Sequence, residues 1–142
     1  MPERADIQHP LPHASWETRG WWEGAGRGEI VLQQCRHCQV PMHKPRAVCP
    51  TCLSTDIDHF VASGRGSVHT FTVTNQNMQK GFAEACPYVL AFVELDEGPK
   101  VLTNIVGCEA DQVTMGMAVV ADFATPERDD GEAFAVPVFK PA

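Results

Sequence analysis

The chain has 142 residues, 44% of them hydrophobic, with 18 Asp and Glu against 11 Lys and Arg, for a formal net charge of −7. That length accommodates one or two small domains. No apolar run approaches the roughly 20 residues a membrane span requires, and the acidic balance is the wrong sign for a partner recognised through its phosphates.

Residues 1–15 are rich in Pro and His and lack periodicity, which predicts an extended arm, either disordered or laid over a partner. No charged-then-apolar leader precedes the first structured segment, so the expected location is the cytoplasm. From Ser15 to Gly24 the spacing of Trp16, Trp21 and Trp22 puts three indoles roughly on one side of a helix. Gly20, Gly24 and Gly26 weaken that helix, so it needs tertiary contact to form, and Gly28 ends it. Its tryptophan face packs either on the chain's own core or on another subunit, where aromatic anchors dominate.

Glu29–Gln34 reads as a strand leading into Cys35-Arg-His-Cys38, and a second pair, Cys49-Pro-Thr-Cys52, follows ten residues later. Two residues between cysteines is the spacing at which a tight turn aims both sulfurs at one point. Two such turns place four thiolates tetrahedrally, which suits one structural Zn²⁺ held by Cys35, Cys38, Cys49 and Cys52. Rubredoxin-type iron shares these ligands. A thioredoxin-like redox pair needs a βαβ context that is missing, and disulfides suit a secreted chain. Such turns favour glycine after the second cysteine, where positive φ is needed; here Gln39 and Leu53 stand instead. His37 and His43 are reserve ligands that four cysteines make unnecessary, and both read as surface residues. Pro41, Pro45 and Pro50 keep the ribbon strands short, and Ile57–Ala62 is its last strand.

Ser63-Gly64-Arg65-Gly66 breaks the pattern and marks a boundary, dividing the chain into arm and helix (1–28), ribbon (29–62) and a C-terminal domain (63–142). That last part is all β. Strands are expected over Ser67–Asn75, Tyr88–Leu95, Val101–Val106, Ala118–Phe123 and Phe134–Phe139, with a helical turn within Glu109–Met115 and an acidic turn over Pro126–Glu132. Five strands with a short helical link after the third predict a Greek-key barrel of the OB type, with a β-sandwich as the alternative. The fold class is therefore mainly β: a helix, a rubredoxin-like ribbon and a five-stranded barrel. Gln76–Pro87 is long for a hairpin loop, and its Met78, Lys80 and Phe82 are candidates for contact with a ligand or partner.

With these segments in order, the chain resembles the acyl-CoA-associated OB-fold proteins that carry an N-terminal rubredoxin-like zinc ribbon. The resemblance rests on Trp21-Trp22-Glu23, Gly28–Cys35, Pro45–Pro50, Gly66-Ser67-Val68, Pro87–Ala91 and Leu102–Cys108, and covers nearly everything after residue 15. It implies a non-catalytic accessory subunit beside a thiolase-like enzyme (a thiolase, acyltransferase or aldolase) acting on acyl-CoA thioesters. In that setting Trp16, Trp21, Trp22, Met78, Lys80 and Phe82 become candidates for partner or acyl-CoA contact, and the partner supplies the chemistry. Nucleic-acid binding by ribbon and barrel is the alternative. It needs a field of cations, yet from residue 61 onward only Arg65, Lys80, Lys100, Arg128 and Lys140 are positive. Autonomous catalysis would need a low-pKa thiol beside a base. Cys86 and Cys108 are the candidate thiols, with His59 or His69 as bases, but no motif connects them.

Overall fold

A computed structural model describes residues 12–125 and 135–142. The acidic turn and most of the arm read from sequence lie outside these residues.

A single helix, α1 (Arg19–Gly26), precedes a three-stranded antiparallel sheet ordered β2-β1-β3, built from β1 (Val31–Cys35), β2 (Pro41–Met42) and β3 (Ile57–Val61). Five further strands close a barrel: β4 (Arg65–Thr74), β5 (Tyr88–Leu95), β6 (Lys100–Ile105), β7 (Ala118–Ala124) and β8 (Val136–Pro141), in the order β4-β5-β6-β8-β7. A closed barrel has no free edge, and this is the OB arrangement expected from the strand count rather than the sandwich. Strict alternation builds it. Val89, Ala91, Val93 and Leu95 of β5 and Val101, Thr103 and Ile105 of β6 point inward, while Phe92, Glu94, Lys100 and Leu102 face out.

The weakest seam is between β6 and β8, whose register is a single parallel pair, Ile105 with Phe139. The Thr103 hydroxyl donates across it to the Pro137 carbonyl at 3.2 Å. Between β6 and β7 the 3-10 turn Ala110–Gln112 realises the expected helical link, and the Glu109 N–H donates to the Gln112 side-chain oxygen at 2.9 Å.

Two boundaries differ from the sequence reading. The helix begins at Arg19, because Ser15 and Thr18 bond to one another (Ser15 N–H to Thr18 Oγ1, 2.8 Å) and make a separate turn that excludes Trp16. The glycine-rich break is shorter than expected, since β4 already starts at Arg65 and Gly66 pairs with both Leu95 and Val119. A Cβ at Gly66 would overlap the Glu94 carbonyl oxygen, so this glycine serves close strand approach rather than a loop.

Helix, ribbon and barrel share one core. Trp21 of α1, Ile30, Leu32 of β1 and Ala62 are buried in the same cluster as Val68, Val93, Ile105 and Phe139. Gly24 makes this possible: a side chain there would collide with Val31, so its absence lets α1 lie directly on β1. The ribbon keeps a second, small core of Cys35, Met42 and Cys49. No helix among the described residues is long and apolar enough to cross a membrane.

Candidate metal centre and subunit face

The two cysteine turns are near copies of one another. The Cys35 N–H donates to the Val40 carbonyl (3.1 Å) and the Gln39 N–H to the Cys35 carbonyl (2.9 Å); in the second turn Cys49 donates to Ser54 (2.8 Å) and Leu53 to Cys49 (2.9 Å). Gln39 and Leu53 take φ of 62° and 63°. The turns thus need the left-handed conformation glycine would supply, and two non-glycine residues adopt it.

Each turn aims backbone amides at its sulfurs. N–H groups of Cys38 and then His37 point at Cys35, and those of Cys52 and Thr51 at Cys49. They hold the Cys35 thiol below its ordinary value and pull Cys49 down to about 6, against the effect of burial. Cys38 and Cys52 go the other way. The Val40 and Ser54 N–H groups lower them, but burial and the neighbouring sulfurs prevail, pushing Cys52 up to about 12.

All four sulfur atoms lie within 4.8 Å of one another, with Cys35 to Cys52 and Cys38 to Cys49 at 3.6 Å. Four convergent thiols, two of them fully buried, fit a tetrahedral thiophilic ion with no open position. Zn²⁺ matches that donor set, and its task here is to fix the ribbon rather than to activate water.

The two histidines differ. His37 is exposed, whereas His43 is half-buried, its ring 4.4 Å from that of Trp21, centroid to centroid. The sequence expectation of two surface histidines is corrected for His43: the ribbon folds it under α1, where the indole covers it. Burial, followed by the charge of Lys44, lowers its pKa to about 4.

The three tryptophans do not share one face. Trp21 is buried in the core, Trp22 packs against that core from its edge, and Trp16 is 72% exposed. Between α1 and the ribbon sheet runs a cleft of about 590 Å³, lined by Trp16, Arg19, Glu23, Gln33, Arg46 and His59 among others. Sequence spacing could not reveal this cleft, since the residues that line it are scattered from Trp16 to His59.

The loop 76–87 divides its candidates as well. Phe82 packs at a tilt against Tyr88, ring centroids 6.3 Å apart and planes at 50°, and Asn77 donates to the Tyr88 hydroxyl at 3.0 Å. Met78, 93% exposed, and Lys80 project outward from this braced loop. Asn104 is structural, its amide donating to the Val89 carbonyl at 3.0 Å. Cys86 donates its thiol proton to the Phe82 carbonyl, 3.3 Å away. Burial, then the charge of Glu109, raises the Cys108 thiol. His69 lies beside Glu94, at 3.6 Å, on the outside of the barrel.

Comparison with known proteins agrees with this architecture. Residues 22–58 match the family model "ChsH2, rubredoxin-like zinc ribbon domain", and 61–124 match "ChsH2, C-terminal OB-fold domain". A DUF35 domain-containing scaffold protein of Methanocaldococcus jannaschii is 32% identical over 127 residues, covering 87% of this chain and 89% of that protein. A probable enoyl-CoA hydratase alpha subunit of Thermomonospora curvata is 37% identical over 135 residues; the match takes in 94% of this chain but spans only 40% of that longer protein. Among solved structures, a chain of the "Ltp2-ChsH2(DUF35) aldolase" superposes with a TM-score of 0.80 at 36% identity, over 92% of this chain and 98% of that one.

Proposed function

The chain belongs to the DUF35 family, with a ribbon and barrel of ChsH2 type, and from that premise we propose that it is a non-catalytic subunit of a thiolase-like enzyme acting on acyl-CoA thioesters. One observation carries the reading: the match to the DUF35 chain of an aldolase complex runs through nearly the whole of that chain and of this one. The scaffold designation of the archaeal relative supports the same role. In this reading the catalytic subunit holds the reacting groups, and the metal-braced ribbon, helix and barrel support its fold and help shape its CoA and acyl site.

The chain's own thiols agree with a supporting role. Cys86 spends its proton on a loop carbonyl, and Cys108 is raised rather than lowered, the reverse of what a nucleophile needs. As free thiols outside the metal centre, both suit a reducing compartment such as the cytoplasm. Met78 and Lys80, exposed on a braced loop, are suited to contact the partner or the pantetheine and phosphates of CoA.

The test is co-expression with the thiolase-like protein of the same genome. The expected result is co-elution of the two chains, with thioester cleavage or condensation only when both are present. Turnover of a thioester by the purified chain alone would overturn the proposal.

A further inference from the structure

The two cysteine turns share one backbone and carry opposite surfaces. The first presents Arg36, His37 and Gln39 to solvent, and each end of its Gln39 is used: the side-chain amide donates to the Arg36 carbonyl (2.7 Å), and the main-chain carbonyl accepts from Gln34 (2.9 Å). The left-handed conformation of Gln39 is thus offset locally.

In the second turn the corresponding residue is Leu53, equally left-handed, 75% exposed, and with an aliphatic side chain that can make no such bond. In the same turn segment Val48 is 41% exposed, and Pro50 and Thr51 are exposed too. No Asp, Glu, Lys or Arg occurs anywhere in residues 47–55. A strained backbone and an exposed leucine are both costs, and no side-chain hydrogen bond of Leu53 offsets them among the described residues.

The two ends of this apolar turn reach the cleft beside α1, while Leu53, Val48, Pro50 and Thr51 lie outside its lining. Ala47 and Thr55, which bracket the turn in sequence, line that cleft together with the exposed Trp16. The cleft has three arginines, Arg19, Arg27 and Arg46, against Glu17 and Glu23, in a chain where acids outnumber bases 18 to 11. Arg27 is paired with Glu29, while Arg19 and Arg46 make no ion pair among the described residues. An apolar turn free of Asp, Glu, Lys and Arg, edged by guanidiniums that make no ion pair among the described residues, has the anatomy of a protein interface.

We infer that the second cysteine turn and the adjoining α1 cleft, centred on Leu53 and Trp16 and edged by Arg19 and Arg46, form the face that docks on the catalytic subunit. The inference rests on the subunit reading above. The partner face it fits is apolar at its centre, with carboxylates placed to meet the two arginines. A second copy of this chain fits less well, because each copy carries a net charge of −7.

The experiment measures affinity between the zinc-loaded chain and the purified thiolase-like protein, for wild type and three variants. Glycine adopts φ near 63° without strain, so Leu53→Gly should hold or raise the thermal midpoint while weakening binding about tenfold or more. Gln39→Gly, at the matching place in the first turn, should bind as wild type does. Arg46→Glu should weaken binding and flatten its dependence on salt. Wild-type affinity retained by Leu53→Gly and Arg46→Glu would overturn the docking face and leave the subunit reading standing. Failure of the wild type to bind would instead remove the subunit reading itself. A wild-type homodimer that Leu53→Gly dissolves, or binding to anionic vesicles lost in that variant, would reassign the face and overturn the inference.

Discussion

The imidazole of His43 lies under the indole of Trp21, 4.4 Å between ring centres, so a residue of the metal ribbon is capped by a residue of the helix. Trp21 in turn reaches the barrel core beside Ile30 and Phe139. Metal centre, helix and barrel are joined through this stack, and stability in one is transmitted to the others.

Acid should act through that contact. His43 has a folded pKa of about 4 against an ordinary 6.5, because burial disfavours its charged form. Between these values the unfolded chain binds the proton and the folded one does not. Stability therefore falls as pH drops from about 6.5 towards 4, by roughly 3 kcal/mol once below both. His43→Phe, which keeps a ring under Trp21, should flatten that part of the acid limb in urea titrations from pH 7 to 4. Metal loss affects both proteins, so the difference between them isolates the histidine; identical acid limbs would refute the assignment.

Removing the metal should unfold the ribbon. Metal binding and folding are one equilibrium when the ligands converge only in the folded state. Cys49, fully buried among the four sulfurs, is the decisive ligand to change. Cys49→Ser should bind no stoichiometric zinc by elemental analysis, and its tryptophan emission, compared in a Trp16→Phe, Trp22→Phe background that leaves Trp21, should shift red as the His43 contact opens. An intact partner complex formed by metal-free Cys49→Ser would contradict the structural role given to the ion.

Two glycines of one helix should respond oppositely to alanine. At Gly24 a Cβ would overlap Val31 Cγ2 and stand 3.0 Å from Val31 Cβ, so Gly24→Ala forces α1 off β1 and should cost about 1–3 kcal/mol. At Gly26 a Cβ meets nothing within 4 Å, and Gly26→Ala should gain about 0.5–1 kcal/mol from helix propensity alone. Thermal melts of the two variants on either side of wild type are the expected outcome.

Closure of the barrel should be reinforced by one hydroxyl, beside the Val106 N–H bond to the Phe139 carbonyl at 2.8 Å. Thr103 is 5% exposed and supplies the bond to Pro137 where β6 and β8 share only one backbone pair. Thr103→Val preserves the shape but leaves the Pro137 carbonyl without its partner. The expected cost is about 1–3 kcal/mol, with faster amide exchange confined to β6 and β8.

Much of this architecture is written in short-range patterns. The paired Cys-x-x-Cys turns, the alternation along Tyr88–Leu95 and the Glu109-to-Gln112 link each depend on residues a few places apart, and each forms as read. Even the backbone demand at Gln39 and Leu53 follows from the turn itself, which calls for positive φ after its second cysteine whichever residue stands there. Strand ends were less legible. Gly66 resembles a breaker in isolation, and only its position between Leu95 and Val119 makes it part of a strand.

What sequence alone determined here is the convergence of four cysteines and the succession of strands, because ligand spacing and period-two patterning are local constraints; the family was legible through resemblance, in motifs such as Trp21-Trp22-Glu23 and Leu102–Cys108. Tertiary structure decided how the tryptophans divide, that His43 is covered, that Leu53 stands exposed, and that residues from Trp16 to His59 line one cleft. Those outcomes turn on which surfaces meet when helix, ribbon and barrel compete for one core, and periodicity along a single element carries no record of that competition.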